Sequence, residues 1–555
     1  MMVKITVDQI IGGIKMDTIF YNGKFRTMDK MNPEAEAVAV KDGIITRVGS
    51  NEEILALAEA HTKKVDLEGK FALPGFSDSH LHLIYYANTK RKVELSQARS
   101  IEEAISLCKA QLQEKSKEDG WLLGCGWNQE DWKVPVFPTK IDLDKISQDI
   151  PIAITRTCYH ATVINSKAIE LLGLNKEIPE LSNGIVEVDE NGQVNGILRE
   201  SAQNIVWNYM GVPTLEDLKN RIEDACLDAA SKGITAIQTD DFETFTGDTI
   251  DLIIKAYHEL VSEGRLPVRV YQQCLLRTPE KLQAFLDKGY KTGYEFGLYK
   301  IGPLKLLNDG SLGARTAYMR EPYHDDPSTK GVALYDPEQL TKMIKMGHEN
   351  GMQIAIHCIG DAAIEMAVNS FEQVMLESPR TDPRHGIVHC QITDINLIER
   401  IKKLNLLIYA QPIFIRADKN IINQRVGEEL GSTSYNWRAF ADRNMHLSGG
   451  SDCPVEKFDT IPNMYCAVTG KNPERDSDPA WHPENCLTVD ETVKGFTWEG
   501  AYAAFQENER GTISVGKYAD MVVLSEDLYQ VPEDQIKDIQ VKMTMVNGEI
   551  KYSDL

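Results

Sequence analysis

Two histidines one residue apart, His80 and His82, follow an apolar run in PGFSDSHLH. Residues at i and i+2 of a strand point to the same side. Two imidazoles placed that way can bind one cation at about 2.0–2.1 Å each. The plainer alternative is a pair of polar residues at a strand-to-loop junction. Further along, His357 closes QIAIH, His389 stands next to last in GIVHC, Asp452 closes SGGSD, and Lys305 lies in GPLKLLNDG. One histidine at the end of an apolar run is common by chance. HxH, His, His and Asp at the ends of the first, fifth, sixth and eighth of eight such runs is a pattern that asks for a shared site.

The elements that must position these groups are legible as short apolar runs at 71–78, 234–240, 268–274, 298–307, 352–357, 385–390, 405–411 and 445–452. They are hydrophobic nearly throughout, as strands buried on both faces should be. Helical patterns lie between several of them, such as 217–233 and 337–351, each ending at a glycine suited to a helix C-terminus. Eight such βα units imply a TIM-like (β/α)8 barrel, whose strands all aim their C-terminal ends at one mouth, where barrel active sites lie. The 555 residues exceed what a barrel needs. Short strands with the turn dipeptides Asn22-Gly23 and Asp42-Gly43 fill 18–67, and the same style returns at 519–525 and 541–552 with Asn547-Gly548. Neither end can bury a sheet face alone, so both termini are expected to share one small β-sandwich domain. The interval 86–212 is far too long for a plain loop. It reads as an inserted α/β subdomain over the active-site mouth. The expected division is therefore 16–70 with 511–555 for the sandwich, 71–85 with 213–510 for the barrel, and 86–212 for the insertion. Residues 1–15 read as an extension ahead of a start at Met16.

Composition narrows the class without naming it. A net charge of −23 argues against a nucleic-acid or anionic-membrane surface, since both want clustered Lys and Arg. The apolar stretches are too short to span a bilayer. Lys4, Asp8 and Lys15 interrupt the first apolar run, so no signal peptide is read and a cytoplasmic location is expected. The ten cysteines include no CxxC pair and read as reduced thiols. Cys358, Cys390 and Cys453, each next to a candidate site residue, read as packing thiols. His385 lies about 13 Å from His389 toward the bottom of its strand by strand rise, so it is not a ligand, and His446 fails for the same reason. His61, His258, His348 and His482 read as surface residues.

LPGFSDSHLH (73–82), GWNQEDW (126–132), HATVINSKA (160–168), LKLLNDGSLGARTAYMREPY (304–323), HCIGDAAI (357–364), QP (411–412), GSDCPV (450–455) and GTISVGKYADMVVL (511–524) together resemble the amidohydrolase superfamily. The finer match is to its family-3, YtcJ-like branch, which includes N-substituted formamide deformylase. The resemblance covers nearly the whole chain and implies a metal-dependent hydrolase barrel. It implies His80 and His82 as ligands of one metal, His357 and His389 as ligands of a second, and Lys305 as an N-carboxylated bridge between them. A lysine amine is protonated at neutral pH and ligates poorly, whereas carboxylation makes it an anionic oxygen donor; a buried salt bridge is the alternative for Lys305. Asp452 would touch a metal and exchange a proton with water activated by the metal, which attacks a polarised carbonyl. Nitrogen and oxygen ligands suit zinc, with iron or manganese as alternatives, at one or two divalent cations per subunit. The implied reaction is hydrolysis of a C–N bond in an amide or formamide-like small molecule. Two other readings stand beside it: a mononuclear aminohydrolase deaminating a small heterocycle, and a catalytically silent assembly protein on the same fold. His160, Asp309, Arg315 and Trp127 are the candidate substrate contacts. Against these stand a hydrogen bond within the insertion for His160, loop ordering for Asp309 and Arg315, and a core role for Trp127. A homodimer is a family-level expectation.

Overall fold

In the computed structural model, residues 17–555 are described except 115–119, 157–160, 182–183, 476 and 478. They divide into two compact units. One comprises the chain up to Ile84, Leu218–Glu243 and Ile250–Leu555; the other comprises Tyr85–Asp217 and Thr244–Thr249.

The first unit is built on eight parallel strands: β1 Phe76–Leu81, β2 Ile234–Asp240, β3 Arg269–Leu275, β4 Tyr299–Leu307, β5 Ile354–Cys358, β6 Gly386–His389, β7 Leu407–Ala410 and β8 Leu447–Gly449. Each pairs with the next from β1 to β8, so the sheet is a TIM-like α/β barrel. Its two edges meet beyond the strand ends, where the Asp452 N–H donates to the His80 carbonyl (2.7 Å) and the His82 N–H to the Cys453 carbonyl (2.8 Å). Every residue of β2 and of β3 is buried, which is why those runs are apolar without alternation. Helices cross between strands, among them Ile250–Ser262 after β2 and Pro337–Glu349 after β4. The latter starts on an Asp336 cap with Pro337 in its first turn and gives way to Gly351 at φ +84°, a conformation that costs glycine little.

Two smaller sheets complete this unit. One has four strands in the order Ile44–Gly49, Ala37–Lys41, Thr18–Tyr21, Lys63–Asp66. The other has six in the order Glu549–Ser553, Val541–Val546, Met521–Leu524, Phe71–Pro74, Lys24–Arg26, Glu34–Ala35. Phe20, Phe25, Val38, Ala72, Met521, Val523, Met543 and Met545 share one buried cluster, so residues from both ends of the chain fill a single core. The run read as one barrel strand over 71–78 divides at Gly75: Phe71–Pro74 pairs antiparallel with Met521–Leu524, and the barrel strand begins at Phe76. Asn22-Gly23 is a turn but not a hairpin, since the strands on either side of it belong to different sheets.

Arg269 at the start of β3 is almost fully buried. Its Nε donates to Asp520 Oδ2 at 2.6 Å and its guanidinium lies 3.8 Å over the Tyr518 ring. Removing one partner of a buried pair strands the other charge, at a cost of about 3–5 kcal/mol. Asp520→Ala is therefore expected to lower the urea midpoint by an amount equivalent to that cost, whereas a loss below about 1 kcal/mol would mean that Arg269 finds compensation elsewhere.

The second unit is a six-stranded sheet in the order Gly184–Val188, Val194–Glu200, Ala161–Ile164, Ile152–Arg156, Leu122–Trp127, Lys92–Glu94. The helix Ile101–Glu114 carries Ala104, Ile105 and Cys108 into a core with Leu95, Trp127, Trp132 and Ile154. Among the described residues no helix is long and apolar enough to cross a membrane.

Candidate metal centre

The C-terminal ends of the barrel strands bring His80, His82, Lys305, His389 and Asp452 into one cluster, buried except for the partly exposed His82. His80 closes on its neighbours from β1: its Nε2 lies 3.2 Å from Lys305 Nζ and 3.3 Å from Asp452 Oδ1. His82 Nε2 lies 3.1 Å from the same Asp452 oxygen. The His80 and His389 rings are 5.5 Å apart and the His389 and His357 rings 4.4 Å apart, which brings the end of β5 to the edge of the group. His80, His389 and Asp452 each offer one donor atom, all within 4.8 Å of one another. Lys305, from β4, is fully buried among them.

The close packing has local causes. A Cβ on Gly450 would stand 2.8 Å from the His80 backbone nitrogen, so only glycine lets the segment after β8 approach β1. Asp78 Oδ1 then accepts from the N–H groups of both His80 (3.2 Å) and Ser451 (3.1 Å), tying the two segments together. Burial pushes the Asp78 carboxyl up to about 7 against those hydrogen bonds. His389 (φ +74°) and Asp452 (φ +58°) both carry left-handed backbone, a strain of about 1–3 kcal/mol that surrounding structure must hold in place and that clusters at functional sites.

Each imidazole is oriented by a fixed acceptor. His80 Nδ1 faces Gln273 Oε1 at 2.8 Å, and the Gln273 amide nitrogen donates to the Ser79 carbonyl, which sets the amide the right way round. His389 Nδ1 faces Gln411 Oε1 at 2.7 Å, with the Gln411 nitrogen donating to the Tyr409 carbonyl. His82 Nδ1 donates to the Asp240 carbonyl at 2.9 Å. These contacts assign the proton of each ring to Nδ1 and turn three Nε2 atoms inward, the arrangement that orients imidazoles for metal binding. His357 is set the other way: its Nε2 donates to the Gly310 carbonyl at 3.1 Å, which leaves Nδ1 as its acceptor.

This donor set fits a divalent cation. Asp452 Oδ1 and both oxygens of Asp240 are buried and, among the described residues, have no hydrogen-bond partner of good geometry. Buried carboxylates are normally hydrogen-bonded or bound to a cation. Burial would raise the Asp452 carboxyl, but the His80 and His82 imidazoles outweigh it and hold it well below the ordinary range. Burial and the Lys305 charge push His80 down to about 4, and burial with the neighbouring His357 holds His389 well below its usual value. Burial would also lower His82, yet the Asp452 carboxylate, aided by Asp240, pushes it up to about 9. Burial lowers the Lys305 amine, with Asp240 and Asp452 opposing.

His82 is therefore protonated at pH 7, and a cation taking its Nε2 must displace that proton, whereas His80 and His389 have none to lose. Titrating a divalent metal into chelator-treated protein at pH 7, in buffers of different ionisation enthalpy, should show about one proton released per site from His82. Affinity should weaken as pH falls below about 9, because protons then compete more strongly with the cation for His82 Nε2. Proton-neutral binding would contradict the arrangement.

The other candidates separate clearly. Asp309 is buried, and its carboxylate accepts from the N–H groups of Tyr318, Ile359 and Gly360. It orders the loop after β4, 3.3 Å from His357 Nε2, and is not open to substrate. Arg315 pairs with Asp325 at 2.9 Å in the same loop, a loop-ordering contact. Trp127 is fully buried and donates to the Ile154 carbonyl at 3.2 Å, so the pocket-wall reading is replaced by a core role within the second unit. His160 lies outside the described residues, as do residues 1–15. His348, read as a surface residue, is buried, and its Nδ1 lies 2.8 Å from His385 Nε2. Cys358, Cys390 and Cys453 are buried thiols whose burial pushes them well up. Sequence reading missed Gln273, Gln411 and Asp240; the available signal was their position at the ends of apolar runs.

A sequence profile described as "Amidohydrolase family" matches residues 63–552. The chain is 32% identical to "Putative amidohydrolase YtcJ" of Bacillus subtilis (strain 168) over 97% of its own length and 99% of that protein. It is 24% identical to the N-substituted formamide deformylase of Arthrobacter pascens, over 97% of its length and 98% of the relative. An uncharacterized metal-dependent hydrolase from Pyrococcus furiosus superposes with a TM-score of 0.76 at 28% identity, covering 92% of this chain and all of that one.

Proposed function

The chain belongs to the amidohydrolase family, and from that premise we propose that it hydrolyses a C–N bond in a small amide or N-substituted formamide at the buried histidine–aspartate–lysine cluster. The observation that carries this reading is the convergence of three inward-turned Nε2 atoms on a buried carboxylate at the strand ends.

His80 and His82 with Asp452 would hold one divalent cation, and His357 and His389 a second, with Lys305 as an N-carboxylated bridge. A mononuclear site is the fallback if Lys305 stays an amine. Nitrogen and oxygen donors suit zinc. A cation there supplies Lewis acidity, polarising the scissile carbonyl and lowering the pKa of water.

The chain's own groups do the rest. Asp452, held ionised by its two imidazoles, is the base that takes a proton from the attacking water. It then returns that proton to the leaving nitrogen, because an amide nitrogen expelled without one would be far too basic to leave. Gln273, Gln411 and the Asp240 carbonyl hold the imidazoles in the tautomer this needs. The deformylase among the relatives supports formamides as the first substrates to try.

The test is a panel of N-formyl amines, N-acyl amino acids and cyclic amides offered to metal-loaded protein, with released amine or acid as the readout. Turnover of at least one panel member is expected. Release of ammonia from heterocyclic amidines, with no turnover of the amide panel, would overturn the assignment in favour of deamination.

A further inference from the structure

Asp240, the last residue of β2, was not singled out by any sequence pattern, yet its surroundings are unusual. Its side chain is almost fully buried, and neither carboxylate oxygen receives a hydrogen bond of good geometry among the described residues. Its neighbours are different: Thr239 Oγ1 accepts from the Leu83 N–H at 2.9 Å, and Asp241 accepts from the Ile84 N–H and the Tyr257 hydroxyl. The residues on either side of Asp240 are thus satisfied, whereas its own carboxylate is not. The nearest cationic group, Lys305 Nζ, lies 3.7 Å from Oδ2, longer than the roughly 2.7–2.9 Å of a charge-assisted hydrogen bond. That same Nζ is 3.2 Å from His80 Nε2, so the orphaned carboxylate borders the cluster, and its own backbone carbonyl orients His82.

From these contacts we infer that Asp240 is a ligand of the metal centre, supplying an oxygen donor from the second barrel strand beside His80, His82 and Asp452. The inference deepens the metal-hydrolase reading and rests on it. A simple counter-ion for the lysine would sit closer to Nζ than this carboxylate does.

The test uses the full chain, stripped with chelator and reloaded with Co(II), with affinity measured against a chromophoric chelator and the visible ligand-field spectrum recorded. Asp240→Asn keeps shape and removes charge. Loss of groups that merely support a ligand costs about 10–100-fold in metal affinity, so loss of a ligand should weaken Co(II) binding by at least about 100-fold and change the visible bands. Wild-type affinity with an unaltered spectrum would overturn the inference, as would weakened binding with unaltered bands, which would make Asp240 a through-space charge only. Should the variant fail to fold, a metal-loaded wild-type crystal structure decides. A ligand stands at about 2.0–2.2 Å from the metal, and an Asp240 oxygen well outside that distance would overturn the inference. Wild-type protein that retains no cobalt at all would contradict the metal reading itself, a result distinct from either outcome for Asp240.

Discussion

Asp452→Asn is expected to cut kcat for a panel substrate by about 10²–10⁴-fold, the range that one positioned proton-transfer group contributes, with KM changed far less. Asparagine fills the same volume, so Gly450 and Asp78 can still hold the segment after β8 against β1. What the variant would lose is the group we propose accepts a proton from water and returns it to the leaving nitrogen. The substitution also removes the carboxylate that pushes His82 up to about 9. His82 should then titrate lower, and metal-free protein should release less proton on loading. Asp452 would also touch the cation, so kcat is compared at saturating metal, with metal content measured on the same samples. An Asp452→Asn protein that carries full metal and retains wild-type kcat would remove Asp452 from the proton-transfer role.

Lys305→Ala is the second large effect. Burial lowers the Lys305 amine, which raises the fraction present as neutral amine, the form that adds carbon dioxide to give a carbamate and a released proton. Wild-type protein exchanged with ¹³C-bicarbonate should therefore show a carbamate carbon resonance that the variant lacks, and its activity should rise with bicarbonate. If Lys305 is the bridge we propose, the variant should lose at least about 100-fold in kcat. It should also be destabilised when metal-free, because Asp240 and Asp452 lose the only buried ammonium among the described residues near them, a cost of about 3–5 kcal/mol. Short carboxylates such as acetate or propionate, which offer the oxygen donors a carbamate would, should restore part of the activity. A wild-type protein without the carbamate signal, whose activity ignores bicarbonate, would leave Lys305 as a structural ammonium and the site mononuclear.

The parts of this site that could be read from sequence are those whose signal is local. β2 through β8 are buried on both faces, so their apolar runs announce themselves, and a polar residue at the end of such a run stands out. That is why His80, His82, His357, His389, Lys305 and Asp452 were legible. The same uniformity hid the break at Gly75: Phe71–Pro74 and Phe76–Leu81 are both fully buried, and no periodicity separates a sandwich strand from the barrel strand that follows it. Gln273 and Gln411 act through hydrogen bonds to residues 193 and 22 positions away, a pairing that only the fold creates. Asp240 looked like an ordinary acidic residue leaving a strand, and its importance lies in the absence of a partner. His348 was a different kind of miss. It shares a helix face with Leu340, Met343, Ile344 and Gly347, the i, i+3, i+4, i+7, i+8 pattern of a buried stripe, so its burial was available from spacing. Trp127 lies in the motif GWNQEDW and is core, in keeping with the stronger reading for it; a motif marks a place in the fold without saying whether the side chain meets solvent.

The proposed chemistry stands or falls on a metal held at the strand ends. Crystals of protein purified without chelator, measured on either side of the absorption edge of the metal identified by elemental analysis, test it most directly. An anomalous peak enclosed by His80, His82, His389 and Asp452, absent from the His80→Ala/His82→Ala double variant, is the predicted result. A fully folded wild-type protein with no anomalous density at that cluster after loading, or with the same density in the double variant, would contradict it.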